Sequence, residues 1–294
     1  MAISRQSVQE QEEKEKYAVV LDVDNTLTPP RRPLESDMAR ALCHMRVPFF
    51  LGAGGDLRLV LEQFIEPLHS FGYRGSFDAF LCNGSTRYRC ELLEKPSITL
   101  IRQFDMRSHL GEERFQKLLR ILETALDLDE FRLPAPMQII GERIIDRGSM
   151  INVAPIGRPR ERLSEKAHAN RQAFSQYDHA TDFRKKFLSH LRQELHQFER
   201  DGLFITLGGE TSFDIVINGN DKSFPLRALL NEGFGRISYV ADALFKGGND
   251  EAVLTFIEEW SGPLPCPVEA IRVENWRETI GVLDRLGVIN STLA

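Results

Sequence analysis

The sequence predicts an α/β fold with a parallel sheet, interrupted by an inserted α+β domain with an antiparallel sheet. Three observations carry this. "YAVVL", from Tyr17 to Leu21, is a continuous apolar, β-branched run, as in a strand buried on both faces of a parallel sheet. Strand and helix patterns alternate across residues 17–84 and again from residue 221 onward. Between about 87 and 218 the alternation stops, and strand candidates lie beside long amphipathic helices. The expected organisation is a charged extension over 1–16, a core over 17–86 and 219–294, and an inserted domain over 87–218.

Within the first core segment, Asp22 ends the opening strand and "TPPRRP" breaks the chain. "ESDMARALCHMR" reads as a helix capped by Ser36, "VPFFLGAGGD" as a strand running into glycines, "LRLVLEQFIEPL" as a helix and "FDAFLCNGS" as a third strand. In the insertion, "RYRCELL", "RIIDRGSMINVAPI", "LFITLGG" and "SFDIVI" are the strand candidates, with helices at "GEERFQKLLRILETAL" and "DFRKKFLSHLRQELHQFER". Phe183, Phe187, Leu191, Leu195 and Phe198 recur at three- and four-residue steps, which predicts one buried stripe. The returning core reads as helix "KSFPLRALLNEGF", strand "RISYVAD", helix "DEAVLTFIEEW", strand "PVEAIRV" and closing helix "NWRETIGVLDRLGV".

With 294 residues the chain is long enough for two moderate domains, each with its own core. Its apolar runs fall short of a membrane span, so a soluble protein with no membrane partner is expected. A net charge of −6 argues against a nucleic-acid partner, while local basic clusters suit a small anion such as phosphate. Cys43, Cys82, Cys90 and Cys266 form no CxxC pair, which suits a reducing compartment. The N-terminal stretch has no apolar h-region, so a cytoplasmic location is expected.

The chemistry begins at "VVLDVDNTLT". Asp22 and Asp24 stand beyond a strand's carboxyl end, where open α/β sheets bind ligands. Adjacent carboxylates repel unless a cation neutralises them, and a hard ion such as Mg²⁺ takes one or two carboxylates plus a substrate phosphate. "YVADALFKGGNDEA" sets Asp242 at another strand end, with Asn249 and Asp250 at a helix start, so further acids can converge on the same sheet edge. Gly54 and Gly55 of "LGAGGD" let backbone amides approach an anion. Lys222 opens the returning segment, where an ammonium could neutralise a phosphate and a carboxylate at once.

Asp-x-Asp-x-Thr, a glycine-rich turn, a lysine and GGND, in this order, resemble the haloacid dehalogenase superfamily of Mg²⁺-dependent phosphotransferases. "DVDNTLTPPR", "SHLGE", "MINVAPIGR", "GGETSFDI", "NDKSFPLR" and "GGNDEA" are similar to its eukaryotic-type phosphomannomutase branch over nearly the whole chain after the extension. The resemblance implies a Rossmann-like core with an inserted cap, and a phosphorylated sugar as substrate. It implies Asp22 as nucleophile forming a phospho-aspartyl intermediate, and Asp24 as general acid/base with its carbonyl in the metal shell. Asp242 would complete the Mg²⁺ site with Asp22, with Asn249 and Asp250 orienting it, and Lys222 would hold the transferring phosphate. Arg158 and Arg171 would grip the distal phosphate, with Arg143 a candidate third arginine, and Ser212 and Asp214 would contact the sugar. A homodimer through the cap is a further implication.

Two departures stand out. Gly55 replaces the family's hydroxyl residue in the glycine-rich turn, and Ala241-Asp242-Ala243 keeps the acid of Gly-Asp-Lys without its basic neighbour. The function expected is interconversion of mannose 6-phosphate and mannose 1-phosphate. A sugar-phosphate phosphatase and a catalytically weak phosphosugar-binding protein are the alternatives.

Overall fold

A computed structural model describes residues 16–135, 137–160 and 164–289; the charged extension, apart from Lys16, lies outside them. The strands, in chain order, are β1 (Tyr17–Leu21), β2 (Phe49–Gly52), β3 (Ser76–Leu81), β4 (Thr86–Glu91), β5 (Ser97–Gln103), β6 (Glu142–Asp146), β7 (Ile151–Arg158), β8 (Leu203–Gly208), β9 (Ser212–Ile217), β10 (Arg236–Ala241) and β11 (Val268–Arg272). They form a seven-stranded sheet in the order β11-β10-β1-β2-β3-β4-β5 and a four-stranded sheet in the order β6-β7-β9-β8.

In the larger sheet β11, β10, β1, β2 and β3 are parallel, and β4 and β5 are antiparallel additions at one edge. β1 lies in the middle, and its side chains explain the unbroken apolar run. Val19 and Leu21 enter a core with the helices Ser36–Cys43 and Trp276–Arg285, whereas Ala18 and Val20 enter a second core with Phe224–Asn231 and Glu251–Glu258. A strand covered on both faces needs apolar residues at successive positions.

The four-stranded sheet has two different faces. Ile151, Val153, Phe213 and Ile215 pack on the helices Glu112–Leu126 and Phe183–Leu195. The stripe of Phe183, Phe187, Leu191, Leu195 and Phe198 is buried in this core, with Phe131 set edge-on to Phe187 at 4.7 Å. The alternate residues Asn152 and Asp214 face the parallel sheet's carboxyl edge and make polar contacts there.

Four local expectations differ from the structure. The boundary at residue 87 does not hold for the sheets, because β4 and β5 extend the large sheet through a β3–β4 hairpin; the elements of the second sheet follow Gln103. Ser36 is the first helical residue rather than the cap, and the preceding Glu35 makes no side-chain cap bond. "RIIDRGSMINVAPI" is two strands, β6 and β7, turned at Gly148 with φ of 75°. The helix Glu165–Thr181 escaped sequence reading because it buries only Ala167 and Phe174, too sparse a stripe to show periodicity.

Candidate active site

β1 and β10 run side by side and their ends are bonded. The Asp22 amide donates to Val240 O at 3.0 Å, and the Asp242 amide to Thr26 Oγ1 at 3.1 Å. Neighbouring parallel strands therefore deliver Asp22 and Asp242 to one point. Asp250 joins them from the start of the helix Glu251–Glu258. Its carboxylate makes no cap bond to that helix, so a helix-capping role does not describe it. Instead Asp250 Oδ1 accepts from Tyr239 OH at 2.8 Å and pairs with Lys222 Nζ at 2.8 Å.

Lys222 is buried and donates to Asp22 Oδ1 at 2.7 Å. Oxygens of Asp22, Asp242 and Asp250 lie within 4.8 Å of one another. Burial pushes the Asp22 carboxyl up from 3.8 to about 8, with Lys222 pulling down against it and Asp250 and Asp242 pushing the same way. Burial likewise raises Asp242, opposed by its hydrogen bond from Asn25 and reinforced by Asp250. One ammonium serves three carboxylates, and Asp250 Oδ2 and Asn249 Oδ1 are buried without a hydrogen-bond partner. This excess of oxygen donors fits a hard divalent cation, not a transition-metal thiolate or imidazole site.

Asp24 is held differently. Its Oδ1 accepts from Gln63 Nε2 at 2.7 Å and from the Arg31 amide at 2.9 Å, and its Oδ2 pairs with Arg31 Nε at 2.9 Å. Burial works to raise this group, but Arg31 and the Gln63 bond outweigh it and hold the carboxyl below its ordinary value. Gln63 lies in a π-helical turn, Leu61–Ile65, and also donates to Thr28 Oγ1 at 2.6 Å. The two aspartates are thus tuned in opposite directions.

Asp22, Asp24, Gly54, Gly55, Asp242 and Asn249 border a cavity of about 320 Å³ whose roof carries Arg158, Arg171, Ser212 and Asp214. Lys222 and Asp250 stand behind Asp22. Asp214 is clamped by Asn83 Nδ2 at 2.7 Å from below and by Asn152 Nδ2 at 2.6 Å within its own sheet. Arg158 donates to Ser212 Oγ at 2.8 Å and Asn152 Oδ1 at 3.1 Å. Burial, and then the charges of Arg31, Arg171 and Arg147, push the Arg158 guanidinium well below its ordinary value. Gathered guanidiniums repel, so the roof favours an anion. A second cavity of about 670 Å³ touches Lys222, Gly248 and Asn249 from behind, and none of Arg31, Arg147, Arg158 and Arg171 lines it.

Arg143 is a correction. It turns to Leu126 O at 3.1 Å and Asp127 Oδ1 at 2.6 Å and lines a separate cavity on the cap. Arg31, Arg147 and Arg184 line the cavity beside Arg158 and Arg171, and Arg147 is buried at the β6–β7 turn, donating to Gly54 O at 2.6 Å. Reading "RIIDRGSM" as a hairpin turn would have found it, since the turn points at the glycine loop. Arg31, Gln63 and Asn83 were also missed, and only Arg31, beside the Asp-x-Asp motif, carried a sequence signal.

Solved structures share the fold. The chain superposes on an N-terminally truncated IMP-nucleotidase of Plasmodium falciparum with a TM-score of 0.60 and 12% identity, covering 94% of this chain and 71% of that one. It superposes on a haloacid dehalogenase-like hydrolase from Bacteroides thetaiotaomicron with a TM-score of 0.50 and 13% identity, covering 93% and 100%. At these identities the likeness concerns the fold alone.

The sequence model of the eukaryotic phosphomannomutases matches residues 38–260. The phosphomannomutase of Saccharomyces cerevisiae (strain ATCC 204508 / S288c) is 33% identical over 257 residues, 84% of this chain and 87% of its own. Phosphomannomutase 1 of Homo sapiens is 32% identical over 256 residues, 85% and 86%. The chain belongs to the eukaryotic phosphomannomutase family of the haloacid dehalogenase superfamily, and it is a phosphotransferase enzyme.

Proposed function

We propose that the protein interconverts mannose 6-phosphate and mannose 1-phosphate in a Mg²⁺-dependent reaction through a phospho-aspartyl intermediate on Asp22. The observation that carries this is the pairing, across one cavity, of a lysine-held Asp22 with a roof of cationic Arg147, Arg158 and Arg171. One phosphate can react at the floor while the other is held at the roof.

Asp22, Asp242 and Asp250 have the donor chemistry to hold Mg²⁺, with Asn249 beside them. When bound, the ion would neutralise the carboxylates, keep Asp22 ionised and draw charge from the transferring phosphoryl group. Asp22 Oδ bonds to phosphorus as the bond from phosphorus to the sugar oxygen breaks, and Lys222 balances the charge on the phosphoryl oxygens. In the return step Asp24, kept ionised by Arg31 and Gln63, takes the proton of the attacking sugar hydroxyl. It gives that proton to the leaving oxygen in the next transfer. Between the two, the bisphosphorylated sugar turns over beneath the cap, with either phosphate fitting the arginine roof.

Hydrolysis is the second reading, favoured by Gly55. Without a side-chain hydroxyl, the turn offers the phosphoryl group backbone donors only. Purified protein with Mg²⁺, mannose 1-phosphate and a trace of hexose bisphosphate, followed by ³¹P NMR, separates the two. Growth of the mannose 6-phosphate signal supports the mutase, while inorganic phosphate without isomer replaces it by the phosphatase. Asp22→Asn should remove both signals.

A further inference from the structure

We infer that Asn25 is the positioning residue of the cation centre: its side-chain amide ties Oδ2 of Asp242 and so fixes the orientation of that carboxylate beside Asp22 and Asp250. This rests on the metal reading above. Asn25 has a φ of 60°, in the left-handed region where glycine is the unstrained choice and asparagine among the few tolerated alternatives. A position needed only to turn the chain between Asp24 and Thr26 has no use for a side chain. Here the side-chain amide nitrogen makes two hydrogen bonds.

Asn25 Nδ2 donates to Asp242 Oδ2 at 3.0 Å and to Glu274 O at 3.2 Å. Both acceptors are oxygens, so the opposite amide orientation would set Oδ1 against them; the geometry admits one orientation. The two bonds tie the loop after β1 to the residues just beyond β10 and β11, three neighbouring strands of the sheet. Asp250 is arranged in the same way. Tyr239 and Lys222 hold its Oδ1, while its Oδ2 has no hydrogen-bond partner and remains for the ion. Carboxylates that bind metals depend on such outer hydrogen bonds for orientation, and removing one typically weakens metal binding by about 10–100-fold.

Asn25→Gly tests this, because glycine adopts the same backbone without strain and removes only the amide. Mn²⁺ binding to metal-free protein would be titrated by electron paramagnetic resonance for wild type, Asn25→Gly, Asp242→Asn and the double variant. The expected result is a loss of roughly 10–100-fold in Mn²⁺ affinity for Asn25→Gly, with a metal-free melting temperature near wild type and an unchanged KM for the sugar phosphate. The double variant should bind no more weakly than Asp242→Asn, because Asn25 acts through that carboxylate. Wild-type affinity in Asn25→Gly, or additive losses in the double variant, overturns the inference and leaves the metal reading standing. Failure of wild type to bind Mn²⁺, or full affinity in Asp242→Asn, overturns both.

Discussion

Single residues decide what the cavity can hold. Arg147 and Arg143 are four positions apart, yet one reaches Gly54 over the floor of the site and the other turns to Asp127 on the cap surface. Arg147→Lys keeps the charge but loses the planar fork, so KM for the sugar phosphate should rise by about tenfold. Arg143→Lys should leave KM unchanged, and steady-state kinetics of the two variants side by side checks both. Gly55 offers the complementary test. A side chain there would begin 3.2 Å from Leu59 Cδ2 and 3.3 Å from Val60 Cγ2, contacts that the flexible tips can relieve. Gly55→Ser should raise kcat, by about 10–100-fold, because a hydrogen bond to a charged phosphoryl oxygen is worth roughly 1.5–3 kcal/mol and about 1.4 kcal/mol is a factor of ten in rate. An unchanged kcat would mean that backbone donors already suffice. Asp22, Asp24, Lys222 and Asp242 were legible in the sequence because each follows a strand or motif with its own signal. Asn83 was not: it lies in a "CNGS" turn with a φ of 57°, and only its bond to Asp214, 131 positions away, reveals its place.

Elements set where those residues meet. The antiparallel sheet is held by the packing of its apolar face on the stripe of Phe187 and its neighbours, and its polar face forms the roof of the site. Phe187 is fully buried and contacts the rings of Phe131, Phe183 and Phe213. Phe187→Ala should destabilise the protein by about 3–5 kcal/mol, read by urea denaturation, with phosphosugar binding weakened through the loosened roof. An effect below about 1 kcal/mol would mean that the surrounding side chains collapse into the space. The stripe was visible at helical spacing because one face of the helix is buried and the other exposed. β5 was not visible: Leu100 and Ile101 are both exposed, so the edge strand shows neither a continuous apolar run nor clean alternation.

Across the whole molecule, charge links folding to the ion. An acid raised from 3.8 to about 8 binds its proton more tightly folded than unfolded, so the metal-free protein loses stability as pH rises through that window. A cation at the site displaces the proton, so Mg²⁺ binding should strengthen with pH and level off above about 8. Melting temperatures with and without Mg²⁺ should therefore diverge from pH 6 to about 8; a gap independent of pH would separate Asp22 from the ion. No helix among the described residues is long and apolar enough to cross a membrane. Strand ends, the acidic pair, the glycine turn and the interrupted alternation could be read from residue order alone, because each is a local pattern in which neighbours in sequence are neighbours in space. The place of Arg147 over the glycine turn, the clamp on Asp214 and the hold of Asn25 on Asp242 came only with the folded chain. These contacts join residues 93, 131 and 217 positions apart, brought together by parallel-strand register and by laying the inserted sheet over the core.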